Sequence, residues 1–221
     1  GERYPAARGK CDFSTMPADH YSNLVHQERL LREQIQKNFS LGDQRIVLEA
    51  LVFAKAAHEK QFRDEGAPYV IHPVRISLTL FELEKATPTR VMAALLHDVV
   101  EDTGIPLEEI TRRFGKRVAT LVDNLTRPRP IDETDEQKKR SKIQKFTEYL
   151  SADYDTRLIK CGDVLDNVRS WKYIPPNHPS RKKFTRWYAE AKDYSLPLAQ
   201  KTDRTLADAI REAIATATAT E

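Results

Sequence analysis

The stretch Ala86–Gly104, ATPTRVMAALLHDVVEDTG, restricts the fold more than any other part of the chain. Its apolar residues recur at helical spacing, Thr87 can cap the start, Pro88 suits a first turn and Gly104 can end it. One amphipathic helix is predicted here, and it must bury its apolar side against other elements. On a continuous helix His97, Asp98, Glu101 and Asp102 share an arc of about 140°, with Met92, Leu95, Leu96, Val99 and Val100 opposite. Ala93 and Ala94 lie one turn earlier on the polar arc, small enough to leave room for a ligand. Carboxylates at a helix C-terminus oppose its dipole by roughly 0.3–1 kcal/mol each, and neighbouring acids repel. A solvated polar face is the plain alternative. The charge placement and the adjacent imidazole favour a bound divalent cation.

The rest of the chain is punctuated in the same way. Residues 1–18 have no periodicity and read as a flexible leader. A weakly amphipathic helix is expected from His20 to Asn38, with Leu24, Leu31 and Ile35 on one side. A better one follows, with Asp43 as cap and Val47, Leu51, Ala54 and His58 in register. Residues before proline avoid the α region, so His72 is expected just outside a helix running from Pro73 to about Glu84. Further helices are expected near 106–114, 116–125, 134–150, 155–171, 180–196 and 203–217. There is no repeat and no convincing strand pair. The fold class is all-α, one helical bundle of about eight to ten helices.

Composition narrows the partners. Of the 221 residues 40% are hydrophobic and 31% charged, as in a globular chain, and the formal charge of +3 is too small to argue for nucleic acid. It fits an anionic small molecule. No apolar run approaches the roughly 18–20 residues of a membrane span, and no signal peptide is evident. Cys11 and Cys161 lack metal-ligand spacing and suggest no disulfide framework, so a reducing, cytoplasmic setting is expected. The stretch RKKFTRWYAEAKDY invites an RNA reading, but Phe184, Trp187, Tyr188 and Tyr194 recur at near-helical spacing and favour core packing. No heptad seam fixes an oligomeric state.

A metal needs more ligands than one short helix supplies. His72, held beside Pro73, and Asp163, which shares a helix face with Asn167, are candidates. Each also has an ordinary explanation, a loop histidine and a surface acid paired with Lys160, and spacing alone does not choose between them. A His/His/Asp/Asp set would suit a hexacoordinate ion such as Mn²⁺.

Three blocks carry a resemblance: AHEKQFRDEGAPYVIHPVRIS, AALLHDVVEDTGI and LIKCGDVLDNVRS, with a looser echo in DYSLPLAQ. In order and spacing, over roughly residues 43–200, they resemble the HD-domain metal-dependent phosphohydrolases, and more narrowly the hydrolase domain of the Rel/Spo alarmone enzymes. The resemblance implies an HD hydrolase domain over 19–205, with 206–221 as a C-terminal helix and frayed tail. It implies one manganese ion held by His72, His97, Asp98 and Asp163, a catalytic acidic pair Glu101 and Asp102, and nucleotide contacts at Arg63 and Asn167. The implied reaction removes the 3′-pyrophosphate from guanosine tetra- or pentaphosphate. No synthetase region lies in these residues, so a stand-alone small alarmone hydrolase is expected.

Lys160 and Arg169 join the candidate substrate contacts. For them, as for Lys142 and Lys145, solvated helix charge is the favoured reading. His58 reads as a hydrogen-bonded core histidine rather than a direct substrate contact, and both readings stay open for Gln61. Two departures stand out. Arg63-Asp64-Glu65 occupies the place of the family's Arg-Lys-Ser, which puts two acids next to a polyphosphate site, and GDVLDNVRS replaces ADRLHNMRT, with Asp166 where the family has histidine. The ligand set survives both changes, but base preference does not follow, and an adenosine alarmone, (p)ppApp, is the alternative substrate. Another HD nucleotidase, or a catalytically silent nucleotide-binding regulator, remains a competing function.

Overall fold

The structure, a computed structural model, describes residues 18–128 and 130–218. Apart from Ala18 the leader expected over 1–18 lies outside the described residues, as does the end of the tail. Among the described residues the fold is all-α, with one isolated bridge between Phe62 and Pro68. The helices are α1 (Ala18–Tyr21), α2 (Leu24–Asn38), α3 (Leu41–Ala57), α4 (Ile71–Glu82), α5 (Pro88–Leu96), α6 (Val99–Thr103), α7 (Leu107–Phe114) and α8 (Lys116–Leu125). They continue with α9 (Asp135–Ser151), α10 (Tyr154–Trp171), α11 (Phe184–Glu190), α12 (Leu196–Thr202) and α13 (Arg204–Thr218). No described helix is long and apolar enough to cross a membrane.

Helix α4 is the axis of the bundle. Every residue from Ile71 to Leu80 is buried, because α2, α5 and α10 pack around it. Buried all round, such a helix tolerates a charge only with a partner. Helix α5 buries Val91 to Leu96 between α3, α4 and α8, so truncating Leu95 to Ala would cost about 2–5 kcal/mol. Helix α13 packs on α10 and α12 through Leu206, Ala207 and Ile210.

Several helix ends follow their sequence signals. Thr87 accepts from the Arg90 amide, and Gly104 closes the acidic segment at φ 74°, a left-handed conformation that glycine adopts without strain. Four details differ from expectation. Ser40, not Asp43, caps α3, its hydroxyl accepting from the Asp43 amide. Helix α4 starts at Ile71, so His72 lies inside its first turn; Pro73 is third, where its missing N–H would have had no partner. The segment expected as one helix over 180–196 is a 3₁₀ turn (Pro179–Lys183), α11 and a π-helical turn (Ala191–Ser195). The long helix expected through Gly104 is interrupted between Leu96 and Val99, with consequences for the site.

Candidate metal centre and substrate cavity

At the interruption the His97 ring competes with the backbone. Its Nδ1–H donates to the Ala94 carbonyl at 2.9 Å, the acceptor that an unbroken ladder would give to the Asp98 amide. Asp98 then takes the N-cap position of a new short helix, without a side-chain capping bond, and Glu101 and Asp102 fall in its first turn rather than at the C-terminus of a long one. Helix dipoles therefore do not disfavour these acids, contrary to expectation; their crowding does. Ala93 and Ala94 are packed in the core and leave no ligand space.

With Nδ1 occupied, His97 presents the lone pair of Nε2 inward. That atom is buried and makes no hydrogen bond, although Asp98 Oδ2 lies 2.8 Å away outside hydrogen-bonding geometry. His72 is similar: Nδ1 donates to Asp166 Oδ2 at 2.6 Å, leaving Nε2 at 3.1 Å from Asp163 Oδ1 and 4.0 Å from Asp98 Oδ2. One donor atom each from His72, His97 and Asp163 lies within 4.8 Å of the others. Asp98 lies beside this trio, its Oδ2 2.8 Å from His97 Nε2 and accepting from the Tyr69 hydroxyl at 2.5 Å, within reach of the same centre. Converging lone pairs with an orphaned buried nitrogen among them suit a cation, and imidazole with carboxylate suits a divalent transition ion.

The electrostatics show concentrated negative charge, which without a metal ion is met by a proton on His97 that a bound cation would have to displace. Burial pulls the His97 imidazole down, but the adjacent Asp98 charge outweighs it and pushes the pKa up to about 9. Burial opposes ionisation of Asp163 too, yet Lys160, whose Nζ lies 2.6 Å from Oδ2, and His72 hold it well below the carboxylate range. Asn167 donates to the other Asp163 oxygen at 2.7 Å.

The centre opens into a cavity of about 450 Å³. Glu101, Asp102, Arg63, Asn167 and Lys160 line it. One Glu101 oxygen accepts from the Arg127 amide at 2.8 Å. Lys142 and Lys145 also line the cavity, against the expectation of solvated helix charge. Arg169 does not: it borders a small groove between α10 and α13, because Arg169 and Asn167 point to opposite sides of α10. His58 is a buried hydrogen-bonded histidine, its Nδ1 2.7 Å from Gln61 Oε1, while Gln61 donates to the Asp102 carbonyl at 2.9 Å and ties α6 down. Of the aromatic stretch, Phe184 is core and lies tilted against Trp171 and Trp187, which stack on each other and reach the cavity wall.

Sequence reasoning passed over the network behind His72. Arg75, fully buried, donates through Nε to Asp166 Oδ1 at 2.7 Å and through Nη2 to Glu65 Oε1 at 3.1 Å. Arg63 reaches Glu65 at 3.4 Å and Asn167 at 2.9 Å. Glu65 thus lies between two guanidiniums, which removes one of the two acids that were unfavourable beside a polyphosphate. Tyr69, His72 and Arg75, spaced by three in an otherwise apolar stretch, were the available signal.

The HD domain family pattern matches residues 50–202, and the chain belongs to that family. It is 37% identical over 174 residues to a guanosine-3′,5′-bis(diphosphate) 3′-pyrophosphohydrolase of Aquifex aeolicus, covering 77% of this chain and 24% of that protein. A protein with the same name in Borreliella burgdorferi is 35% identical over 143 residues, covering 63% of this chain and 21% of that one. The chain therefore spans about a quarter or less of the length of these relatives. Among solved structures it resembles a metazoan ortholog of SpoT, described as hydrolysing ppGpp, with a TM-score of 0.67 and 28% identity; 77% of this chain and 94% of that one are covered.

Proposed function

We propose that this chain is a manganese-dependent hydrolase that removes the 3′-pyrophosphate of alarmone nucleotides, taking (p)ppGpp to GDP or GTP plus pyrophosphate. One observation carries the reading: the His72, His97 and Asp163 donors open into the same cavity as Glu101, Asp102 and three lysines. Similarity to proteins named for this reaction supports it.

His72, His97, Asp98 and Asp163 would hold one ion. When bound, it would acidify a water molecule and withdraw charge from a phosphate oxygen. Glu101, anchored by the Arg127 amide, and Asp102 orient the attacking water and deliver a proton to the 3′-oxygen as its bond to phosphorus breaks. Arg63, Asn167 and Lys160 contact the nucleotide, while Lys142 and Lys145 offset phosphate charge. The buried free thiol of Cys161 suits the reducing cytoplasm that belongs to this reading.

The test is incubation with ppGpp and ppApp side by side, with and without Mn²⁺, followed by chromatography. Metal-dependent release of pyrophosphate and GDP is expected; a faster reaction with ppApp would move the specificity to adenosine. No pyrophosphate from either nucleotide with the metal-loaded protein would overturn the proposal.

A further inference from the structure

Beyond the ligands, Asp166 makes the most fully satisfied set of contacts near the site. Its Oδ2 accepts from His72 Nδ1 and from Arg75 Nη2 at 3.0 Å; its Oδ1 accepts from Arg75 Nε and from the Tyr21 hydroxyl at 3.1 Å. The Arg75 guanidinium in turn donates to the Tyr21 carbonyl at 3.1 Å and sits 4.0 Å over the Tyr21 ring. All of these side chains are buried.

We propose that Asp166 is a positioning residue, locked by Arg75 and Tyr21, that fixes the His72 ring so that Nε2 faces the cation site. The proposal rests on His72 being a metal ligand. An Asp166 carboxylate pinned by two Arg75 donors stands ready to accept from Nδ1–H, so Nδ1 is the nitrogen committed to Asp166 and Nε2 is the one left to face Asp163 and the cation site. Arg75 also offsets the charge, so Asp166 orients the imidazole without neutralising the ion's surroundings. Partners of this kind behind a ligating histidine typically change metal affinity by about 10–100-fold when removed. Histidine, the residue expected here from the family resemblance, could not accept from Arg75 in this bidentate way. Tyr21 adds one bond to this network from α1, so docking of that helix reinforces the hold on His72 that Arg75 already gives.

Two readouts test this without turnover. Long-range ¹H–¹⁵N spectra of histidine-labelled, metal-free protein report the ring tautomers. His72 is expected with the proton on Nδ1; a proton confined to Nε2 overturns the proposal whether or not the protein binds Mn²⁺. Mn²⁺ titration followed by electron paramagnetic resonance gives affinity. Asp166→Asn is expected to weaken binding by about 10–100-fold with the helical signal retained, and unchanged affinity in the folded variant overturns the proposal. Tyr21→Phe, which removes one hydroxyl, is expected to weaken binding about two- to fivefold and serves if Asp166→Asn does not fold; unchanged affinity there counts against the proposal. Wild-type protein that takes up no Mn²⁺ would instead refute the metal-site reading beneath it.

Discussion

Neighbouring acids Asp64 and Glu65 have opposite surroundings, and the difference can be measured. Asp64 is exposed, whereas the Glu65 side chain retains 1% of its accessible surface and accepts from Arg75 at 3.1 Å and Arg63 at 3.4 Å. Glu65→Gln preserves shape and one acceptor oxygen but removes the charge. Two guanidiniums would then share Asp166 as their buried counter-ion. Losing one partner of a buried pair costs about 3–5 kcal/mol, and the retained oxygen and the long Arg63 contact reduce this to about 2–4 kcal/mol. For a domain of this size that corresponds to a drop in Tm of roughly 5–15 °C. Thermal unfolding followed by circular dichroism at 222 nm is the assay, with Asp64→Asn as control, expected within about 0.5 kcal/mol of wild type. If Glu65→Gln melts within about 2 °C of wild type, the carboxylate is not acting as a buried counter-ion and the reasoning fails.

Glu101→Gln combined with Asp102→Asn should lower kcat by at least about 100-fold while bound manganese per chain, measured by elemental analysis, stays the same. Lys142→Met with Lys145→Met should raise KM about tenfold with a small change in kcat; an effect confined to kcat would contradict their role as phosphate counter-charges. Burial pushes the Cys161 thiol up to about 12, so in a Cys11→Ser background it should resist thiol reagents at pH 8 until denaturant is added. The folded state keeps that proton where the unfolded chain loses it, so stability should fall between about pH 9 and pH 12, by at most about 1.4 kcal/mol per pH unit for this group. Urea unfolding across that range reads the slope.

Local signals placed most helices, since apolar periodicity and caps such as Thr87 and Gly104 act over a few residues. The interruption at His97 and Asp98 was not legible, because a side chain taking a backbone acceptor leaves the hydrophobic pattern unchanged. His72 was expected outside its helix by a rule that the first turn relaxes. The resemblance singled out His72, His97, Asp98 and Asp163 as partners, which spacing alone could not do. It could not anticipate that Asp166 would meet Arg75, 91 residues away, since such pairing belongs to the approach of α4 and α10. A lone arginine among ten buried positions does, however, require a counter-ion somewhere in the chain.

The Tyr21 hydroxyl meets Asp166 across 145 residues of chain. Contacts of that span form only after the intervening loop has closed, which carries an entropic cost and slows assembly. Partly folded species in which α1 has yet to dock would carry the donor atoms without a rigid seat for them. On the proposed function, the tightest uptake of the ion would come late, and an ion that favours the finished state over its precursors would shift the population toward it. Metal supply during synthesis would then influence how much chain matures, quite apart from any rate of turnover.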